Sequence, residues 1–278
     1  MPSPSVLITG STRGVGLAIA RTLAAVPGVN VMLHSSGLGP GGGRSLQRDI
    51  DAALVAVRDV AASKGDGRVL HATADLRHAN ECAGLISEAA AAFGRIDVLV
   101  NNAAAAYPDE FAAEAVPDEL WADVLALNLS APFHLIKAAL PGMKRRKFGR
   151  IINVGCAAGI VSAPNNVPFT AEKHGLQGLT KTVALELATC DGSLTCNMVA
   201  PGLVDGSGLL RVKAERRAAA VGETFDTAAT AVVDEVCPTG RAVAGDEVGA
   251  AVAYLAMPAT RSVNGTTIVV DGGWTAQN

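Results

Sequence analysis

The chain has 278 residues, of which 49% are hydrophobic and 18% are charged, and its formal net charge is −3. This length predicts a single domain over residues 1–278. The composition excludes a disordered chain, and the slightly negative charge excludes a general nucleic-acid-binding surface. We therefore expect a globular protein with no nucleic-acid partner.

The spacing of the cysteines and the length of the apolar runs narrow the possible classes of protein further. The five cysteines form no Cys-x-x-Cys pair and have no histidine spacing suited to zinc, which predicts reduced thiols and no metal site. The first residues lack the charged and apolar segments of a secretory signal. No uninterrupted apolar run approaches the about 20 residues that span a bilayer. The expected location is the cytoplasm, without membrane contact.

Seven apolar, strand-like runs alternate along the chain with Ala- and Leu-rich segments of helical length. The runs are 6–8, 29–33, 69–71, 96–100, 151–154, 195–199 and 267–270. Their near-continuous apolar character is typical of strands buried on both faces of a parallel sheet. The segments between them are long enough for crossover helices. The pattern predicts an α/β fold, a doubly wound parallel sheet of seven strands with helices on both faces, known as the Rossmann fold.

Two glycine-rich stretches interrupt this alternation. Residues 37–43 are rich in Gly and Pro and predict a flexible loop after the second strand. Residues 202–208 precede an Ala-rich, charged helical region, and together they predict a lid over a substrate pocket around 203–236. A surface helix without a gating role is the alternative.

A glycine turn follows the first strand and opens the first helix. Glycines there permit a tight turn, and backbone N–H groups at a helix N-terminus bind a pyrophosphate. The position within a βαβ unit favours nucleotide binding over a purely structural turn. The residues expected at the nucleotide are Gly10, Ser11, Arg13, Gly14, Val15 and Gly16.

The spacing of this turn, Thr-Gly-x-x-x-Gly-x-Gly, resembles the signature of short-chain dehydrogenases/reductases. Similar motifs are Asn101-Asn102-Ala103-Ala104, Pro201-Gly202 and Asp271-Gly272-Gly273-Trp274, so the resemblance covers almost the whole chain. It implies an NAD(P)-dependent oxidoreductase with a small-molecule substrate. It further implies an adenine contact at Asp75 and Leu76, a cofactor cleft lined by Asn102, Ala103 and Ala104, and a turn beside the nicotinamide at Pro201 and Gly202.

The reaction centre departs from that family at two positions. Phe169 and Lys173 have the spacing of the family's Tyr-x-x-x-Lys motif, Cys156 stands where the catalytic serine is usual, and Asn128 matches a structural and catalytic asparagine. The resemblance implies that a tyrosine exchanges the proton, a lysine supports it and holds the ribose, and a serine polarises the carbonyl. Spacing i, i+4 places Phe169 and Lys173 on one helix face. Phe169 offers no O–H, and loss of such a group lowers a rate by about 10²–10⁴-fold.

Other side chains are candidates for the missing donor. Cys156 has three interpretations. Its thiol is a weak hydrogen-bond donor, and it becomes an acid or a nucleophile if Lys173 lowers its pKa. Alternatively, Cys156 is a small buried apolar residue. Tyr107 follows the Asn-Asn-Ala-Ala segment in a loop that borders the substrate pocket in this family. It is either an alternative donor or a pocket-lining aromatic residue. Tyr254 is expected in the core.

Three functions follow from these departures and stay open at this point. The first is an oxidoreductase that acts on a carbonyl, an imine or an activated alkene with an atypical proton donor. The second is a non-redox or inactive nucleotide-binding protein of the same fold. The third is an inactivated mutant of an active reductase, since Ser-to-Cys and Tyr-to-Phe are both conservative exchanges.

The end of the second strand indicates which nucleotide is bound. A carboxylate there would bind the ribose 2′-OH and repel a 2′-phosphate, but this chain has His34, Ser35 and Ser36. Arg13 in the glycine turn can pair a phosphate bidentately. The sequence therefore favours NADP(H), with contacts from Ser35 and Ser36, and NAD(H) is the alternative.

Assembly is implied by the resemblance as well. In this family the helices after strands four and five pair across two-fold axes, and here they span roughly 118–146 and 167–188. Their many Ala and Leu residues suit close helix packing. We expect a homotetramer, with a dimer as the alternative.

Overall fold

A single parallel sheet of seven strands runs through the described part of the chain. The computed structural model describes residues 3–37, 43–105, 111–162 and 164–277. The sheet has the strand order β3-β2-β1-β4-β5-β6-β7. The strands are β1 (Ser5–Ile8), β2 (Asn30–Ser35), β3 (Val69–Thr73), β4 (Val98–Asn101), β5 (Phe148–Val154), β6 (Ser193–Pro201) and β7 (Thr267–Val270). The predicted seven strands and their parallel pairing are confirmed.

Helices cover both faces of this sheet. They are α1 (Gly14–Ala24), α2 (Gly43–Lys64), α3 (Ala79–Phe93), α4 (Asp118–Leu125), α5 (Ala131–Arg146), α6 (Val167–Ala188), α7 (Gly208–Val221), α8 (Phe225–Val236) and α9 (Gly245–Ala256). Neighbouring residues of β1 point to opposite faces, as the two-residue period of a strand requires. Ile8 belongs to the core with α1, α2 and α9, whereas Leu7 belongs to the core with α3, α5 and α6. The doubly wound architecture is confirmed.

The strand order reverses between β1 and β4. β1 pairs with β2 on one side and with β4 on the other, and both pairings are parallel. The loops after β1 and β4 therefore leave in opposite directions and open a crevice at the carboxyl ends of the strands. Ligands of open α/β sheets bind at such a position. The glycine turn and the Asn-Asn-Ala-Ala segment both lie there.

A π-helical turn, Ala126–Ser130, interrupts the helix that the sequence predicts over 118–146. The segment Asp118–Arg146 contains an 18-residue stretch with a mean hydropathy of 1.3, which is long and apolar enough to cross a membrane by length and composition alone. In the fold, however, Leu135, Ile136 and Met143 of α5 are buried against α3 and the sheet. This core packing accounts for the apolar composition of the segment.

The region predicted as a lid folds into two helices, α7 and α8. Ser207 caps α7 by accepting a hydrogen bond from the Leu210 amide at 3.3 Å. Leu203, Leu210 and Val232 form a small apolar cluster that joins the pair. The helical content is confirmed, and the gating role remains a prediction. The predicted loop at 37–43 lies mostly outside the described residues.

Tyr254 lies on the outer face of α9. Its side chain is 45% exposed, so the prediction that it packs in the core was wrong. The buried positions of α9 include Val248, Val252 and Leu255, which are spaced at helical intervals. Tyr254 falls outside that stripe and takes no part in the site at the sheet edge.

Candidate active site

The glycine turn after β1 is packed against the turn after β4. Gly10 and Gly14 have φ values of 61° and 53°, which L side chains rarely adopt. A Cβ on Gly10 would lie 2.8 Å from the Ala103 Cα, and one on Gly16 would lie 2.2 Å from the Gly10 carbonyl oxygen. A Cβ on Gly14 would meet no described atom within 4 Å. The turn is thus closed toward the protein and open at Gly14.

The N-terminus of α1 fits the pyrophosphate of a dinucleotide. Its N-cap residue, Arg13, has extended backbone and its side chain makes no capping hydrogen bond, and the first turn contains no acidic residue. The first amides of a helix have no intrahelical acceptor and carry partial positive charge. The amides of Gly14, Val15 and Gly16 therefore form an uncapped anion site beside the open position.

His34 supports this turn from β2. The Gly10 amide donates to His34 Nδ1 at 3.1 Å, and His34 Nε2 lies 3.0 Å from the Ala74 carbonyl oxygen. The acceptor role of Nδ1 places the ring proton on Nε2, so the ring is neutral. Burial lowers the pKa of His34 to about 4. Ser11 is also internal, because its hydroxyl donates to Ile8 O and accepts from His34 N. Gly10 and Ser11 therefore shape the cradle from within.

The end of β2 carries no carboxylate. Ser35 is buried, with its Oγ 3.0 Å from His71 Nε2, and burial lowers the pKa of His71. Ser36 is half-buried at the strand end. Arg13 is exposed, and its guanidinium makes no hydrogen bond or ion pair with the described residues. The cleft is therefore uncharged at β2 and has a cation available at Arg13.

Asp75 follows β3 and is already paired. Arg77 Nη2 lies 2.6 Å from Asp75 Oδ2, and Arg77 Nε donates to Oδ1 at 3.0 Å. This hydrogen-bonded pair holds the pKa of Asp75 below its usual value. Leu76 is only 2% exposed and packs in the core. The predicted adenine contact at Asp75 thus involves a carboxylate that Arg77 neutralises.

The segment after β4 is fastened to the glycine turn. Asn102 Nδ2 donates to the carbonyl oxygens of Thr9 at 2.9 Å and Gly10 at 3.0 Å. The amides of Asn102 and Ala103 both donate to Thr9 Oγ1. Ala104 is exposed at the cleft side of this segment. Tyr107, the alternative donor, lies outside the described residues.

Asn128 lies in the π-helical turn and is 2% exposed. Its Oδ1 accepts a hydrogen bond from the Ala105 amide at 3.2 Å, and its Nδ2 donates to Glu172 Oε1 at 3.1 Å. Single π turns inside α-helices are frequent at functional sites. Asn128 thereby joins the loop after β4 to α6.

Phe169 and Lys173 lie on one face of α6, and Cys156 precedes a turn that packs on this helix. Lys173 Nζ lies 5.4 Å from the centroid of the Phe169 ring, as their shared helix face predicts. Cys156 is 5% exposed and begins the short helical turn Ala157–Gly159. A Cβ on Gly159 would lie 3.1 Å from Lys173 Cβ, so this turn is packed closely on α6. The site has an ammonium but no phenol at Phe169.

Glu172 is a site residue that the sequence analysis missed. Its side chain is fully buried, and its Oε1 lies 3.2 Å from Lys173 Nζ. Burial raises the pKa of Glu172, although Lys173 and Asn128 act in the opposite direction. Its second oxygen, Oε2, is buried without a hydrogen-bond partner among the described residues. Glutamate is almost never fully buried unless it is paired, and the sequence alone offered no signal for this burial.

The far wall of the cleft is the turn after β6. Pro201 and Gly202 are both buried, and the Gly202 amide donates to Val270 O at 3.0 Å. A Cβ on Gly202 would lie 2.9 Å from Asp271 Cα. The Asp271 carboxylate in turn accepts hydrogen bonds from the amides of Gly273 and Thr275. The two C-terminal motifs therefore support one another.

Comparison with known proteins identifies the family to which the chain belongs. Residues 10–275 match a family model described as enoyl-(acyl carrier protein) reductase. The D-β-hydroxybutyrate dehydrogenase of Rhizobium meliloti is 38% identical, over 98% of this chain and 99% of its own length. The chain belongs to the short-chain dehydrogenase/reductase family. The 3-oxoacyl-(acyl-carrier-protein) reductase of Escherichia coli is a further member, 30% identical over 96% of this chain and 95% of its own length.

Solved structures of reductases share the fold over their full length. A variant of the actinorhodin polyketide ketoreductase with NADPH has a TM-score of 0.86 and 32% identity, covering 99% of both chains. Levodione reductase also has a TM-score of 0.86, with 27% identity over 100% of both chains. The protein is accordingly a short-chain dehydrogenase/reductase in sequence and in architecture, and its relatives are oxidoreductases.

Proposed function

We propose that the protein is an NADP(H)-dependent reductase of a small-molecule carbonyl compound with an atypical proton donor. The arrangement of Asn128, Glu172 and Lys173 around Phe169 carries this proposal. It keeps a buried, hydrogen-bonded ammonium in the pocket while the phenol is absent. A non-functional remnant of a site would not need to retain a buried charge, since burying one is unfavourable.

The residues of the cleft suit NADP(H). The uncapped amides of Gly14, Val15 and Gly16 would hold the pyrophosphate, and Arg13 would pair with the 2′-phosphate. Lys173 would hold the nicotinamide ribose, and bound NADPH would supply a hydride to the carbonyl carbon. The ketoreductase structure with NADPH supports this choice. NAD(H) is the alternative, because the uncharged end of β2 does not repel it.

A 3-oxo acid or 3-oxoacyl ester is the proposed first class of substrate. The relatives named above include a D-β-hydroxybutyrate dehydrogenase and a 3-oxoacyl-(acyl-carrier-protein) reductase. Both names describe a compound with its hydroxyl or oxo group on carbon 3, counted from the carboxyl carbon. An imine or an activated alkene remains a second class, because such a substrate needs less help from a proton donor. The helices α7 and α8 are proposed to act as the lid over this substrate.

Assembly and location complete the proposal. The outer faces of α5 and α6 form an apolar groove whose lining includes Phe133, Leu140 and Leu179. Leu185, on α6, is 72% exposed. These faces support a homotetramer, with a dimer as the alternative. No disulfide joins any of the five cysteines, all of which lie among the described residues, and this suits a cytoplasmic location.

Nucleotide binding and turnover test the proposal in two stages. Calorimetry on the purified protein is expected to show tighter binding of NADPH than of NADH. Consumption of NADPH is then followed with acetoacetate, 3-oxoacyl esters, cyclic ketones and a cyclic imine. Oxidation of NADPH with formation of the corresponding hydroxy or amino product would support the proposal. Equal affinity for the two nucleotides would contradict the role of Arg13.

A non-redox nucleotide-binding protein is the second candidate. It is favoured by one observation, namely that Phe169 and Cys156 remove both hydroxyl groups expected around the carbonyl. In that case NADPH would bind, and no compound of the panel would be reduced at any pH.

A further inference from the structure

The buried carboxyl group of Glu172 has no chemical step assigned to it in the proposed function. It is fully buried on α6, one residue before Lys173 and three residues after Phe169. Two donors, Lys173 Nζ and Asn128 Nδ2, reach the same oxygen, Oε1. An ionised carboxylate accepts about four hydrogen bonds. Its other oxygen, Oε2, has no partner among the described residues.

This partial satisfaction argues for a carboxyl group that holds a proton. A buried carboxylate with one bare oxygen is penalised by desolvation, and a proton on that oxygen removes the charge. Lys173 is the charged group that the described residues place against Glu172, and Asn128, from the π-helical turn, is neutral. Buried acids with a specific charged partner in a cleft are candidates for a functional role.

We propose that Glu172 carries the proton that this site, lacking a tyrosine, delivers to its substrate through Lys173. The inference rests on the proposed reductase function. Because it acts through Lys173, Glu172 is a positioning residue and does not contact the substrate. The proton resides on Oε2, so its transfer requires the carboxyl group to rotate about its Cγ–Cδ bond. This rotation brings the protonated oxygen to the position that Oε1 now holds, 3.2 Å from Nζ.

The step balances in protons and electrons. The two electrons that reduce the carbonyl carbon come from the reduced dinucleotide of the proposed function. An N–H bond of the Lys173 ammonium breaks as an O–H bond forms on the substrate oxygen. The Lys173 amine then takes the proton of the Glu172 carboxyl group, and the carboxylate left at Glu172 regains a proton from water once the product has left.

The protonation state of Glu172 can be read without turnover. Infrared difference spectra of the nucleotide-free protein, recorded over a pH series, report the carbonyl stretch of a protonated carboxyl group. Such a band is expected near neutral pH in the wild type and in Glu186→Gln, whose exposed carboxylate lies on the same helix. It is expected to be missing in Glu172→Gln. An identical band in Glu172→Gln would overturn the proposal.

Single-turnover reduction then tests the relay. Glu172→Gln is expected to bind NADPH as the wild type does. Its single-turnover rate of substrate reduction is expected to be lower by about 10²-fold. The wild-type rate should fall as pH rises through the raised pKa of Glu172, and this fall should vanish in Glu172→Gln. An unchanged rate and pH profile in Glu172→Gln would overturn the relay. Failure of the reductase function differs, since the infrared band would persist while no substrate is reduced.

A second variant protects the test against misfolding. Glu172→Asp keeps the acid but withdraws it from Lys173 by one methylene. Its carboxyl band is expected to titrate at a different pH from the wild-type band, with partial retention of the single-turnover rate. A titration and a rate identical to those of the wild type would contradict a role that depends on contact with Lys173.

Discussion

Asn128 Nδ2 donates a hydrogen bond of 3.1 Å to Glu172 Oε1, and this bond links the π-helical turn to the helix that carries Lys173. Replacement of Asn128 by Ala removes that donor and also leaves the Ala105 amide without the acceptor it now has. We expect Asn128→Ala to lower the free energy of unfolding by about 1–3 kcal/mol, measured by urea titration. The exposed Asn80→Ala on α3 is the control and should change it by no more than about 0.5 kcal/mol. Equal effects would contradict the linking role.

The missing hydroxyl groups can be restored. Lys173 and Asn128 are already in place, so Phe169→Tyr with Cys156→Ser should create or raise ketone reduction by about 10²-fold or more. The measurement is steady-state kcat on a panel of ketones. Phe169→Leu, which removes the ring without adding an O–H, is the control and should give no gain. Unchanged rates in the double variant with nucleotide still bound would favour a repurposed pocket.

Arg13 is the expected partner of the 2′-phosphate. Arg13→Ala should weaken NADPH binding by about tenfold or more, because a charge-assisted hydrogen bond contributes about 1.5–3 kcal/mol. NADH binding, which involves no 2′-phosphate, should be unchanged by calorimetry. Arg21→Ala, at the opposite end of α1, is the matched control for both nucleotides. A parallel loss of both affinities would assign Arg13 to the pyrophosphate or to the fold.

His34 makes stability depend on pH. In the unfolded chain histidine takes up a proton near pH 6.5, whereas in the fold burial lowers the pKa of His34 to about 4. Between these values the unfolded state binds more protons, so stability rises with pH across this window and is lost as pH falls. The full difference is about 3 kcal/mol. Burial lowers the pKa of His71 as well, and this effect is present both in the wild type and in the His34→Gln variant.

Urea unfolding of the wild type and His34→Gln from pH 7 to pH 4 isolates this contribution. The wild type should lose more stability than the variant as the pH falls. Parallel curves would show that His34 has the same pKa in the folded and the unfolded state, and would contradict a buried neutral ring that accepts from the Gly10 amide.

The α5/α6 groove predicts the oligomeric state. Light scattering at micromolar protein is expected to give the mass of a homotetramer, with a dimer as the alternative. Leu185→Glu places a charge on the exposed apolar face of α6 and should lower the particle mass measured by light scattering. Val55→Glu is the control, because Val55 is exposed on α2, and it should leave this mass unchanged. A monomer mass for the wild type would defeat the assembly proposal.

The sheet was predictable from sequence because its strands are buried on both faces. Val31, Leu99 and Ile151 are 0% exposed, and burial on both faces of the sheet requires the continuous apolar runs that the sequence contains. The glycine cradle was predictable for a similar reason, since Gly10 and Gly16 have no room for a side chain. Local sterics and burial leave a direct mark on sequence.

Contacts between distant elements left no such mark. The π-helical turn at Ala126–Ser130 has the composition of ordinary helix, so its position depends on packing of Asn128 against the loop after β4. In the sequence Glu172 is indistinguishable from a solvent-exposed helical residue. Its burial results from the packing of α6 against the π-helical turn. The bond between His34 and Gly10 likewise depends on the pairing of β1 with β2.

Transfer of deuterium is the most direct test of the central claim that this site still reduces a carbonyl. The protein is mixed in a single turnover with NADPH deuterated at the transferring carbon and with each 3-oxo compound, and the product is analysed by mass spectrometry. We expect deuterium on the new carbinol carbon, and we expect the Phe169→Tyr, Cys156→Ser variant to form this product faster. Stoichiometric NADPH binding with no deuterium in any product would contradict it and would assign the protein to nucleotide binding without redox chemistry.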